Sequence, residues 1–109
     1  MTAVLEKLEE LMQLKPGWDG YEGQPMRFAV AAFVYFLWET IRTPGTPIPA
    51  VVPGGDGSMQ LEWHTPELGD VEITITAPYE ISVWREKDGV AELLILTDDF
   101  SAINKLLNV

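Results

Sequence analysis

Three observations predict an α+β domain. Apolar residues recur at helical spacing in the first 42 positions, alternate with polar ones after residue 58, and return to helical spacing at the end. Helices and strands segregated in this way point to helices over one face of an antiparallel sheet. The expected order is two N-terminal helices, four or five strands and a short C-terminal helix. The 109 residues suit one domain over 1–109. Hydrophobic residues make up 47%, enough for an ordinary core rather than a disordered chain.

Residues 3–14 predict the first helix. Leu5, Leu8, Leu11 and Met12 form its stripe, with Glu6, Lys7, Glu9 and Glu10 between them. Thr2 is a candidate N-cap, and Pro16-Gly17 stops the helix. A loop follows, KPGWDGYEGQP, with three glycines and two prolines around Trp18 and Tyr21. Those aromatics either fold back over the helix ends or face a partner. Asp19-Gly20 suits an Asx-type turn with Gly20 at positive φ. Pro25 fits a first helical turn. The second helix is expected from Met26 to Arg42; it is apolar nearly all round and reads as the central buried helix.

Pro44, Pro47, Pro49 and Pro53 leave room for only a short edge strand, about 48–52. Gly54-Gly55-Asp56-Gly57 is a turn. Then Met59, Leu61 and Trp63, Val71, Ile73 and Ile75, and Ile81 and Val83 each alternate with polar neighbours, as half-buried strands do. Asp88-Gly89 is a two-residue hairpin signal. It sets Lys87 opposite Val90, Arg85 opposite Glu92, Trp84 opposite Leu93 and Val83 opposite Leu94. That register makes the last hairpin apolar on both sides: Trp84, Ala91, Leu93 and Ile95 on one, Ile81, Val83, Leu94 and Leu96 on the other. Either the C-terminal helix or another chain must cover the first set. That helix is capped by Asp98 or Asp99 and carries Phe100, Ile103, Leu106 and Leu107.

The composition excludes more chemistry than it suggests. With no cysteine there is no disulfide, zinc-thiolate site or thiol nucleophile, which fits a cytoplasmic protein. The N-terminus has charges inside its apolar pattern, unlike a signal peptide. The longest apolar run, 28–38, falls short of the roughly 20 residues that span a membrane. The single histidine, His64, stands beside Glu62 on a polar strand face and reads as a solvated side chain. No catalytic set, metal site, phosphate loop or cofactor site can be assembled around it. No enzyme activity and no cofactor are expected.

Net charge is −10, and residues 56–109 hold eleven acids against three bases. Such a surface repels nucleic acid and anionic membranes and attracts basic proteins. The segment GWDGY, then Pro25, a proline-rich stretch and DGSMQLEW resembles a set of short uncharacterised bacterial and phage proteins. The resemblance covers about residues 15–75 and implies no activity. It singles out Trp18, Asp19, Gly20, Tyr21, Gln60, Glu62 and Trp63 as the recurring part.

The reading reached is a non-enzymatic inhibitor, antitoxin-like or anti-CRISPR-like, that neutralises a protein with a basic surface. Glu62, Asp70, Glu72, Glu80 and Glu86 would supply charge. Trp84, Leu93 and Ile95 would form the apolar centre, with Trp18 and Tyr21 as further anchors. The alternative is a homodimer formed through the last hairpin.

Overall fold

A computed structural model describes residues 3–18, 20, 23, 27–97 and 99–107. The chain order is α1 (Ala3–Leu11), α2 (Phe28–Ile41), β1 (Ala50–Pro53), β2 (Met59–Thr65), β3 (Gly69–Ala77), β4 (Glu80–Lys87), β5 (Val90–Leu96) and α3 (Ser101–Leu107). The five strands form one antiparallel sheet in sequence order. This is the expected α+β architecture, with the fifth strand present. Residues 1–2, 19, 21, 22, 24–26, 98, 108 and 109 are not described, so the expected roles of Thr2, Asp19, Tyr21, Pro25 and Asp98 lie outside the described residues.

Alternation in β2, β3 and β4 puts Met59, Leu61, Trp63, Val71, Ile73, Ile75, Ile81 and Val83 on one face, all buried. The helices lie on that face. The first helix rests on α2 and β1, α2 on β2 and β3, and α3 on α2. Their buried side chains join the strand residues in one cluster. Each fully buried Leu or Ile there contributes about 1.5–3 kcal/mol relative to exposure.

Polar contacts tie the elements together. Trp63 Nε1–H donates to the Pro47 carbonyl at 2.8 Å, holding the proline-rich segment against β2. Asn104 Nδ2 donates to the Ile41 carbonyl at 2.9 Å, satisfying one of the carbonyls that a helix end leaves unpaired. The Arg27 guanidinium donates to the Thr76 carbonyl, joining the start of α2 to β3. Asp99 Oδ1 accepts from the Ser101 backbone N–H at 3.0 Å, the expected kind of cap for α3.

Several boundaries and one burial pattern differ from expectation. The first helix ends at Leu11 rather than residue 14, and β1 runs 50–53 rather than 48–52. Pro49 has no N–H to give to a ladder, so pairing begins after it. The larger difference is α2. It buries Val30, Ala31, Phe33, Val34, Leu37, Trp38 and Ile41, but Phe28 is 71% and Phe36 49% exposed. With a single layer of helices on the sheet, no element of the described residues lies over its outer side. Phe36 instead leans on Phe33 and Phe100, part of an aromatic group that includes Tyr79.

Two glycines set strand register in different ways. Gly69 has φ +78, and a Cβ there would run into the Glu86 carbonyl oxygen and approach Lys87 Cβ at 2.9 Å. Gly89 has φ +79, but open space surrounds it. Gly69→Ala should therefore destabilise the fold by at least about 2 kcal/mol. Gly89→Asn should stay within about 1 kcal/mol, because asparagine tolerates this backbone region. Denaturant unfolding of both variants checks the contrast, and equal losses would contradict it.

Candidate functional site: the open face of the sheet

The three helices pack on one face, and no element of the described residues covers the other. Its side chains form cross-strand rows dictated by register. One row runs Ala50, Glu62, Glu72, Trp84, Leu93; a second runs Val52, Gln60, Thr74, Ser82, Ile95; a third runs His64, Asp70, Glu86, Ala91. Glu80, at the start of β4, accepts from the Thr76 hydroxyl at 3.2 Å. Every strand residue expected from sequence to bind a partner thus shares this face: Glu62, Asp70, Glu72, Glu80, Trp84, Glu86, Leu93 and Ile95. Trp18 does not. It is half-buried in the loop after α1. Tyr21 lies outside the described residues.

The charge pattern on this face is one-sided. Its strand positions include no Lys or Arg. Arg85 and Lys87 point the other way: Arg85 approaches Glu92 at 3.8 Å, and Lys87 Nζ donates to the Glu67 carbonyl at 2.6 Å. Glu62 stands directly opposite Glu72, and Asp70 directly opposite Glu86. Like charges facing each other across strands destabilise a sheet. This face therefore carries acids that folding alone does not favour.

His64 offsets part of that repulsion. Its Nδ1 lies 2.9 Å from Asp70 Oδ1 and its Nε2 3.1 Å from Glu62 Oε1. Two carboxylate partners need two N–H donors, which only the imidazolium has. The hydrogen bond to Asp70, then that to Glu62, holds the imidazole pKa above its ordinary value. The side chain is exposed, as expected, but it is held by two acids rather than merely solvated. Asp70 was not foreseen as its partner, because the loop joining β2 and β3 is not a two-residue turn from which register can be read.

The apolar part of the face sits toward β5. The register read from Asp88-Gly89 is observed in full, and both turn residues have positive φ, at 53° and 79°. Trp84 is half-buried, Leu93 is 62% exposed and Ile95 72%. The C-terminal helix does not cover them; its Ile103, Leu106 and Leu107 belong to the core on the opposite face.

Elsewhere, Ala3, Leu5, Tyr35, Trp38, Glu39, Arg42 and Ile48 line a cavity of about 430 Å³. Glu39 and Arg42 bond each other within it. Among the described residues, no group of three or more His, Asp or Glu side chains is arranged to hold a metal ion. No helix of the described residues is long and apolar enough to cross a membrane. Comparison with known proteins found no matching family model, curated protein or solved structure.

The imidazolium clamp predicts a pH dependence. A folded-state pKa raised above the unfolded value, about 6.5, stabilises the fold below that value. The contribution is lost as pH rises through the raised value. Wild type should exceed His64→Gln in melting temperature near pH 5.5, with the gap closing in alkaline solution. Thermal melts of both proteins across pH check this, and a gap independent of pH would contradict it.

Proposed function

We propose that this chain is a non-enzymatic binding protein that seats the open face of its sheet on a basic surface of a partner protein and neutralises it, as antitoxins and anti-CRISPR inhibitors do. The observation that supports this reading is the register that sets Glu62 opposite Glu72 and Asp70 opposite Glu86 on a face whose strand positions include no Lys or Arg. Isolated from a partner, these acids repel one another. Against lysines and arginines the same acids become attractive, so the unfavourable pairing is relieved on binding. Long-range attraction would raise the association rate, and Trp84 would provide a half-buried aromatic anchor beside the acids.

The mode of action would be occlusion. A face of paired strands covers a partner's surface without entering a deep site. It requires no metal, cofactor or reactive group.

Charge reversal tests the reading. The double variant Glu62→Lys, Glu72→Lys should keep its fold, because both side chains lie on the open face outside the core and the His64 contact it removes is an exposed one. It should lose the proteins that wild type captures from a lysate of the native host. For any protein captured by wild type alone, association should slow by roughly tenfold or more in the variant and fall with added salt. An identical set of captured proteins from both baits, or association rates insensitive to salt, would overturn the reading.

A further inference from the structure

The two edges of the sheet are built differently. At one edge β1 has four residues, with Pro49 just before it and Pro53 at its end. Short strands and prolines are common protection against edge-to-edge pairing. At the other edge β5 has seven residues, VAELLIL, in unbroken register with β4. It contains no proline, lysine or bulge. Its one charged residue, Glu92, faces Arg85 of its own sheet.

We propose that the free edge of β5 pairs antiparallel with β5 of a second copy, joining two sheets into one ten-stranded sheet across a two-fold axis at Leu93. The backbone supplies the first argument. Across a two-residue hairpin, Lys87 and Val90 form a hydrogen-bonded pair, as do Arg85 with Glu92 and Val83 with Leu94. The N–H and C=O groups of Ala91, Leu93 and Ile95 therefore point away from β4, toward the free edge.

The side chains supply the second argument, since this register is self-complementary. With Leu93 opposite its own copy, Ala91 meets Ile95, Glu92 meets Leu94 and Val90 meets Leu96. No two acids face each other. Val90, Leu93 and Ile95, which are 69%, 62% and 72% exposed, all gain apolar neighbours.

Charge supplies the third argument, because it separates this arrangement from its competitor. Stacking two open faces would bring two acidic surfaces within about 10 Å, the spacing of packed sheets. Edge pairing puts five strand spacings, about 24 Å, between the two Glu72 side chains. That exceeds the screening length of about 8 Å. The blocked β1 edge then closes the assembly at two copies rather than letting it grow into a fibre.

Sedimentation equilibrium of the isolated full chain tests the proposal without any basic partner. Wild type should show a concentration-dependent dimer. Leu93→Lys and Leu93→Pro should each be monomeric with unchanged circular dichroism; proline at this position removes only an outward N–H. Val52→Lys, on the β1 edge, should remain dimeric, as should Glu62→Lys, Glu72→Lys, so that failure here is distinct from failure of the basic-partner reading. Wild type monomeric at the highest attainable concentration would overturn the proposal. So would a dimer that survives Leu93→Lys, or one broken by lysine yet intact with a folded Leu93→Pro, which would mark a side-chain contact rather than a ladder. Should Leu93→Pro fail to fold, Ala91→Pro, which also removes only an outward N–H, takes its place, and a folded Ala91→Pro that stays dimeric would overturn the ladder.

Discussion

The rest of the structure depends on one-sided burial of the central strands. Met59, Leu61 and Trp63 on β2, Val71, Ile73 and Ile75 on β3, and Ile81 and Val83 on β4 are all essentially inaccessible to water. Strand side chains alternate between faces, so slipping any of these strands by one residue would expose its whole apolar set. Register is therefore held by the core, and the open face must accept whatever rows that register produces. The facing acids on β2, β3 and β4 are a consequence of core packing as much as of local chemistry.

Legibility in the sequence follows the strength of the local physics. Alternation in β2 to β4 was readable because one face is dry and the other wet. The β4–β5 register was readable because Asp88-Gly89 is a turn with one common geometry. The β2–β3 register was not, because the chain crosses between them through Pro66, Glu67 and Leu68, where Thr65 Oγ1 accepts from the Leu68 N–H. That turn depends on side-chain bonding and on Gly69 fitting under the Glu86 carbonyl, neither of which leaves a periodic mark. The His64 clamp inherits this gap, since Asp70 is its partner only through that register.

The exposure of α2 was illegible for another reason. Apolar content reports what a helix could bury, not how many neighbours the fold provides. Val30, Val34, Leu37 and Ile41 take the sheet side, and α1 and α3 flank the helix, leaving Phe28 and Phe36 facing outward. The same shortage affects β5. Its inward Leu94 and Leu96 are only half-buried, whereas their counterparts on β3 are fully buried, because the helical layer thins toward that edge.

Ala91, Leu93 and Ile95 on β5 and the acids on β2 to β4 divide the open face into an apolar margin and a charged centre. The division has a physical logic. A neutral margin can approach another surface without paying for desolvated charge, whereas carboxylates in the centre keep their hydration until a cation replaces it. In the edge-paired arrangement the two margins merge, Trp84 flanks the join on each side, and the acidic centres lie symmetrically beyond it. A basic partner would then meet two equivalent charged patches separated by a dry seam. Contact at one patch would raise the effective concentration at the other wherever the partner's own basic sites match that separation. A margin that joins copies and a centre that attracts cations thus need not compete for the same side chains, because register has already placed them on different strands.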